Sequence, residues 1–252
     1  MDYPRFFIAK EKIFNDKFAL EDPQAVKKIR KVLRLGRKDR ILLLDNSKVE
    51  YIAEIEKPTK DAIKGIILEK RELVDLDKPR FEITLAQALP KASKMDDIIR
   101  MNTELGVHAF IPFESEYSVI KLDKFNPKKL ARWRKIAKSA SEQSERKQIP
   151  MIQEPASFQE IIDSRLSSTF ENKILLHSRK IPGSRDVRMI KKSLLNMIDQ
   201  QNSVLIAVGP EGGFSENEIA LAREDDWQVA WMDLPVLRTQ TAGVVACGYL
   251  LI

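Results

Sequence analysis

Residues 203–224 read SVLIAVGPEGGFSENEIALARE. Ser203 to Val208 is a short, continuous apolar run, the pattern of a strand buried on both faces. A glycine-rich loop follows, running through Val208-Gly209-Pro210-Glu211-Gly212-Gly213-Phe214. Ser215 with Glu218 three residues later marks a helix start as a capping box, in which each side chain satisfies a backbone N–H of the other. Glu216 to Arg223 continues as that helix. Strand, glycine loop and helix form the repeating unit of an open α/β sheet, which places ligands beyond the carboxyl ends of its strands. Glycines let the main chain approach a ligand and adopt positive φ; they suit equally a tight turn with no ligand. No Gly-Lys-Ser/Thr follows, so this is not a Walker loop.

The alternation extends outward from this unit. Phe81 to Ala88, Ala109 to Pro112, Lys173 to Leu176 and Gln228 to Met232 read as further strands. Lys94 to Leu105 reads as a helix, with Ile98, Met101 and Leu105 at helical spacing and Gly106 as its stop. Pro127 to Ser144 reads as a long basic helix with Leu130, Trp133, Ile136, Ala137 and Ala140 on its apolar face. Thr239 to Ile252 is apolar nearly all round, as a buried helix is. These elements predict a mostly parallel sheet covered by helices. The N-terminal part differs. Ile41 to Ile55 holds two strand-like runs around the turn signal Asp45-Asn46-Ser47, and Ala62 to Leu68 is another β-like run. We expect a small β-rich domain over 1–76 and an α/β domain over 77–252, joined by a charged linker, Arg71 to Arg80, that contains Pro79.

Composition bounds the function classes. Of 252 residues, 43% are hydrophobic and 32% charged, a globular balance, and 43 Lys and Arg against 37 Asp and Glu leave a net charge of +6. That excess permits a polyanionic partner without requiring one. The single cysteine, Cys247, excludes an internal disulfide and fits core packing better than catalysis. No apolar run approaches the roughly 18 residues of a membrane helix, and the start lacks a signal pattern; we expect a cytoplasmic protein. His108 and His177 lack ligand-spaced partners, so no metal is expected.

Charge is local. Residues 27–40, KKIRKVLRLGRKDR, hold eight basic residues and one acid, and 121–138 hold the same. Such density binds phosphate, although a solvated helix face would look alike for the second stretch. In the first, Val32, Leu33 and Leu35 are expected to anchor the segment while its charges face outward. Near the C-terminus, Leu234-Pro235-Val236-Leu237-Arg238-Thr239-Gln240-Thr241-Ala242-Gly243 joins a strand to the apolar helix. Arg238 is a lone charge there and needs a partner, such as Glu211, or a function.

GPEGGFS followed by LRTxTA near the end of the chain resembles the RsmE-type uridine-N3 ribosomal RNA methyltransferase family of the SPOUT superfamily. Pro4-Arg5-Phe6-Phe7, Val32-Leu33-Arg34-Leu35, Lys94, Thr103-Glu104-Leu105-Gly106-Val107, Pro112, Glu142-Gln143-Ser144, Arg146 and Pro150 extend the similarity over nearly the whole chain. The resemblance implies a PUA-like β-barrel followed by an α/β domain with a deep trefoil knot, and a homodimer. It implies S-adenosylmethionine held by Leu176 and His177, by Gly209, Pro210, Glu211, Gly212 and Gly213, and by Met232, Leu234, Leu237, Arg238, Thr239, Gln240, Thr241 and Ala242. It implies 16S RNA of the small ribosomal subunit as partner, with contacts from Arg5, Arg30, Lys31, Arg34, Lys94 and Arg146. Arg238 is the candidate catalytic cation, facing the charge that develops on a uracil losing its N3 proton. The chain departs from the family at Lys27-Lys28, at Met101 or Asn102, and at Tyr117, Asp233, Pro235 and Gln240. Those departures keep open a weakly catalytic ribosome-binding protein, or an enzyme acting on another RNA position.

Overall fold

Apolar runs bounded by turn residues set the strands of two sheets in a computed structural model whose described residues are 3–47, 49–73, 81–91, 93–163, 169–195 and 202–252. Close contacts divide the chain into two units, 1–78 with 141–149, and 79–140 with 150–252. The expected 76/77 boundary and most of the expected linker, 74–80, lie outside the described residues.

The first unit is a six-stranded sheet built from β1 (Arg5–Phe7), β2 (Ile13–Phe14), β3 (Lys17–Leu20), β4 (Arg40–Leu44), β5 (Val49–Pro58) and β6 (Ile63–Glu72), in the order β1-β4-β5-β6-β3-β2. The hairpin expected around Asp45-Asn46-Ser47 is present: β4 and β5 pair antiparallel, with Leu44 opposite Glu50. Asp45 Oδ1 accepts from Ser47 N at 2.9 Å, the local bond that makes Asp a turn former, and Asn46 takes φ 63°. Phe6, Ile29, Ile41, Leu43, Ile55 and Ile63 are fully buried in one core.

The expected anchoring of the basic segment is corrected. Helix α1 (Pro23–Lys27) runs into one wide turn, Lys28–Val32, closed by Leu33 N to Lys28 O at 2.9 Å. The extra residue in that turn shifts the apolar register. Val26 and Ile29 take the core, while Val32 is 68% exposed and Leu33 37%; only Leu35 of the expected anchors packs against the core.

The second unit is a parallel sheet. Its strands are β7 (Phe81–Ala88), β8 (Ala109–Glu114), β9 (Met151–Ile152), β10 (Ala156–Ser157), β11 (Asn172–Leu176), β12 (Arg185–Asp186), β13 (Asn202–Val208) and β14 (Gln228–Trp231). They lie in the order β10-β8-β7-β13-β11-β14-β12, with β9 beside β8, and every ladder is parallel. The helices include α2 (Lys94–Leu105), α3 (Lys128–Gln143), α4 (Phe158–Ile162), α5 (Val187–Leu195), α6 (Glu216–Glu224) and α7 (Thr239–Leu251). Gly106 ends α2 in the left-handed conformation, φ 111°, as its position predicts. The buried face of α2 is rotated from the expected one: Ile98, Ile99, Asn102 and Thr103 are inside, and Leu105 is 38% exposed. Asn102 is accommodated because its Nδ2 donates to Ile98 O at 2.9 Å. The α7 helix packs on α2 and on β7 and β13, with Cys247 fully buried and its thiol pushed up to about 12 by that burial.

Candidate functional site: a cleft at the strand ends

Register builds the site. Leu176 on β11 lies opposite both Val208 on β13 and Ala230 on β14, so the three strands end at one level. The loops that follow them therefore open side by side and enclose a cleft of about 430 Å³. His177 N donates to Ala230 O at 2.7 Å, tying the first loop to the third strand. Open parallel sheets commonly hold ligands in this position.

The second loop is shaped by glycine. Gly213 N closes the turn onto Pro210 O at 3.0 Å. A Cβ on Gly209 would stand 3.1–3.3 Å from the main chain of Gly213, a contact so tight that the turn would have to give by a few tenths of an ångström to admit one. Gly213 itself takes φ +74°, with open space where a Cβ would project. Gly212 faces the Tyr117 side chain, and a Cβ there would stand 3.0 Å from Tyr117 Cβ. Just beyond, the capping box is formed: Glu218 N donates to Ser215 Oγ at 3.2 Å, and Ser215 N to Glu218 Oε2 at 2.9 Å. Buried Glu218 also accepts from Glu116 N at 2.9 Å and from the Ser115 hydroxyl at 3.2 Å. The loop's far end is thereby pinned to the segment that carries Tyr117.

The second and third loops are joined by a buried relay. Thr239 Oγ1 donates to Gly209 O at 2.7 Å and accepts from Gln87 Nε2 at 3.0 Å. Gln87 is fully buried on β7. Its Oε1 has no hydrogen-bond partner among the described residues, and neither has Gln240 Oε1. On the cleft wall Lys94 Nζ pairs with Glu211 Oε1 at 2.6 Å, and Lys91 N donates to the same oxygen at 3.3 Å. Burial alone would raise the Glu211 carboxyl; the Lys94 hydrogen bond and the backbone donors outweigh it and hold the group below its ordinary range. Glu211 is thus matched with Lys94, not with Arg238. The Arg238 side chain is exposed on the cleft wall and makes no hydrogen bond or ion pair among the described residues.

Of the residues expected to hold a cofactor, Leu176, His177, Gly209 to Gly213, Met232, Leu234, Leu237, Arg238, Thr239 and Ala242 line this cleft; Gln240 and Thr241 do not. Lys94, expected at RNA, is a cleft residue. Ser178 and Val208 line it as well, and so do Val236 and Pro235, the latter one of the departures from the family. Gln87, which holds two loops together, carries no sequence signal beyond being a polar residue inside an apolar strand.

The residues expected at RNA divide by environment. Arg5 donates to Glu145 O at 3.0 Å and pairs with its carboxylate at 3.4 Å. Arg146 is partly buried, and desolvation pulls its guanidinium down to about 10. The side chains of Arg30, Lys31 and Arg34 are exposed and engage nothing among the described residues. In the other basic stretch Lys121 pairs with Glu114 at 3.1 Å, Arg132 with Asp96, and Arg134 with Glu154 at 3.4 Å. Much of that charge is neutralised locally, as on a solvated helix face. Among the described residues no group of three or more His, Cys, Asp or Glu side chains is placed to hold a metal, and no helix is long and apolar enough to cross a membrane.

Comparison with known proteins agrees with this architecture. The RNA methyltransferase domain family matches residues 77–251, and the RNA methyltransferase PUA domain matches residues 29–68. Ribosomal RNA small subunit methyltransferase E of Bacillus subtilis is 32% identical over 220 residues, covering 85% of this chain and 82% of that one. The protein of that name from Buchnera aphidicola is 34% identical, covering 86% and 83%. The Neisseria gonorrhoeae ribosomal RNA small subunit methyltransferase E, solved with S-adenosyl methionine bound, superposes with a TM-score of 0.79 at 26% identity, covering 99% of this chain and 97% of that one. A Legionella pneumophila methyltransferase solved with the same cofactor gives 0.84 at 27% identity, again over 99% and 97%. With a PUA-like first unit, a parallel α/β second unit and this likeness across its length, the chain belongs to the RNA methyltransferase domain family, in the group of ribosomal RNA small subunit methyltransferase E proteins.

Proposed function

We propose that this chain transfers a methyl group from S-adenosylmethionine to N3 of a uridine in the 16S RNA of the small ribosomal subunit. The observation that carries this reading is the cleft where three in-register strands end, with an unpaired arginine on its wall. Its volume of about 430 Å³ lies within the range of roughly 300–1,000 Å³ common for small-ligand sites. The open space beside Gly213 and the main-chain groups of Gly209 to Gly213 fit a ligand held chiefly by backbone. Leu176, Met232 and Leu237 offer apolar wall for a flat ring. S-adenosylmethionine would supply a methyl group already activated by its sulfonium.

The remaining work falls to the acceptor. Uridine N3 carries a proton; its loss to solvent water leaves negative charge spread over N3, O2 and O4, and N3 would then take the methyl carbon as its bond to sulfur breaks and S-adenosylhomocysteine leaves. The Arg238 guanidinium, exposed and without a competing carboxylate, is suited to lie against one of those oxygens and stabilise the charge as it forms. Lys94 is neutralised by Glu211; in this reading the pair sets the shape of the second loop. N3 becomes reachable only when the base is unstacked or already single-stranded. The same reading assigns RNA binding to residues 1–76 and methyl transfer to 77–252, threads the second unit as a trefoil knot, and has the chain act as a homodimer.

The test is incubation of unmodified small subunits and their naked RNA with the protein and methyl-labelled S-adenosylmethionine, followed by nuclease digestion and mass spectrometry. The expected product is 3-methyluridine at one position. Labelling of a ribose 2′-oxygen or of another base refutes the N3 assignment, and absence of any transfer refutes the enzyme. Light scattering at roughly the 29.0 kDa chain mass would exclude the dimer.

A further inference from the structure

The turn that follows α1 is held by hydrogen bonds at its entry, middle and exit, and it exposes more apolar surface than a phosphate-binding patch requires. Its entry is fixed: Asp22 caps α1, accepting from Gln24 N at 2.8 Å and Ala25 N at 3.0 Å. Its middle is fixed: Ile29 is fully buried, and Leu35 N reaches back to Ile29 O at 2.9 Å. Its exit is fixed: Arg34 is left-handed at φ 55°, and Gly36 N donates to Asp39 Oδ2 at 2.7 Å. From this braced loop Val32 and Leu33 project side by side, 68% and 37% exposed. The side chains of Lys27, Arg30, Lys31, Arg34, Arg37 and Lys38 form no hydrogen bond or ion pair among the described residues.

Single exposed apolar residues are ordinary on protein surfaces. Two adjacent ones, in a braced turn whose sequence neighbours Arg30, Lys31 and Arg34 are exposed and unpaired among the described residues, are not accounted for by the fold. The cations fit a polyanion, and they set this face against a second copy of itself, because like charges would meet. Within polyanionic RNA the apolar pair discriminates further. A duplex presents phosphates, 2′-hydroxyls and groove edges and hides its base faces by stacking, so two aliphatic side chains gain little there. A loop or single strand exposes those faces. Resting on the reading of the chain as an RNA-modifying enzyme, we propose that Val32 and Leu33 seat against unstacked bases in a single-stranded stretch of the RNA substrate, while the surrounding cations hold its phosphates. Because the turn is ordered in advance, little entropy is lost on docking.

Binding of the full chain to a fluorescent, unstructured oligoribonucleotide and to a blunt RNA duplex of equal length, each over a salt series, tests this. Val32→Ser with Leu33→Ser is expected to weaken single-strand binding about tenfold, with the salt dependence kept and duplex binding unchanged. Leu33→Lys, which adds charge while removing aliphatic area, is expected to weaken single-strand binding as well; a purely electrostatic surface would bind more tightly. Unchanged single-strand binding in the serine pair, equal losses on both RNAs, or tighter binding by Leu33→Lys overturns the proposal. So does a change in oligomeric state in the serine pair, which would make this a surface between copies. The assay needs no methyl transfer: if the wild type modifies no uridine while the serine pair still loses single-strand affinity, the functional reading fails and this inference stands.

Discussion

The cleft at the strand ends and the turn at 27–38 are built by opposite means. In the cleft the shape is made by main chain. Gly209 packs its α-carbon tightly against the Gly213 main chain, Gly213 turns with positive φ, and the buried Gln87–Thr239–Gly209 relay fastens one loop to the next. In the turn the main chain is a fixed platform and the outward side chains are the surface, with Arg30, Lys31 and Arg34 all exposed. A backbone-built site tolerates little change at its glycines and much at its rim. A side-chain-built surface loses affinity in small, nearly independent steps.

Substitutions can break the contrast. The largest effect is expected from Gly209→Val, which forces atoms into the Gly213 main chain; S-adenosylmethionine affinity by calorimetry should fall roughly 100-fold, about 2.7 kcal/mol. Retained binding would mean that the loop is not held by close approach. Arg238→Ala is next. If the guanidinium meets charge that develops only during transfer, kcat falls by about 100-fold, while cofactor and RNA affinity stay near those of the wild type. Full turnover in that variant would make Arg238 structural. Arg30→Ala with Arg34→Ala should act through charge alone. The slope of log affinity for single-stranded RNA against log salt falls by about 1.4, two contacts at about 0.7 each, and cofactor affinity is untouched. An unchanged slope would remove those residues from the RNA surface.

The smallest effect sharpens the comparison inside the cleft. The folded Glu211 carboxyl is held below its ordinary value of 4.5. A depressed carboxylate contributes stability that is complete above that value and lost as pH falls through the folded one. Melting temperatures of the wild type and Glu211→Gln should therefore differ at pH 7 and converge as the pH falls below 4.5 and through the depressed folded value. Both partners of the Lys94 pair are about one third exposed, so the gap is small. A gap that persists at acid pH would assign Glu211 a role unconnected with its charge.

Periodicity made the second unit legible. Strands β7, β11, β13 and β14 and helices α2, α3, α6 and α7 fall along the chain where the apolar runs put them, although the buried face of α2 is not the one its spacing predicted. The short strands β2, β9, β10 and β12, of two residues each, offer no period to read. Helix α4 did have a signal, since Ser157 and Glu160 form a capping box of the kind read at Ser215. As the segment's apolar residues, Val32 and Leu33 are expected to anchor it, but the extra residue in the wide turn gives the core to Val26 and Ile29 instead. Gly209 and Arg238 could be picked out as types and Leu176 through the family resemblance alone, but the register that gathers their loops is a long-range pairing, absent from any local window. The Lys94–Glu211 pair and the Gln87 relay are invisible for the same reason: each joins residues more than a hundred positions apart.

The buried thiol on α7 has a practical consequence. Cys247 is the chain's single cysteine, fully enclosed, with its proton held to about 12. An alkylating reagent meets it only in molecules whose C-terminal helix has come away from α2 and the sheet, so the labelling rate at fixed pH measures the frequency of that opening. The protein thus carries its own clock for the detachment of α7, the helix that begins at Thr239 on the cleft wall. A ligand that braces the cleft should slow that clock in proportion to its occupancy.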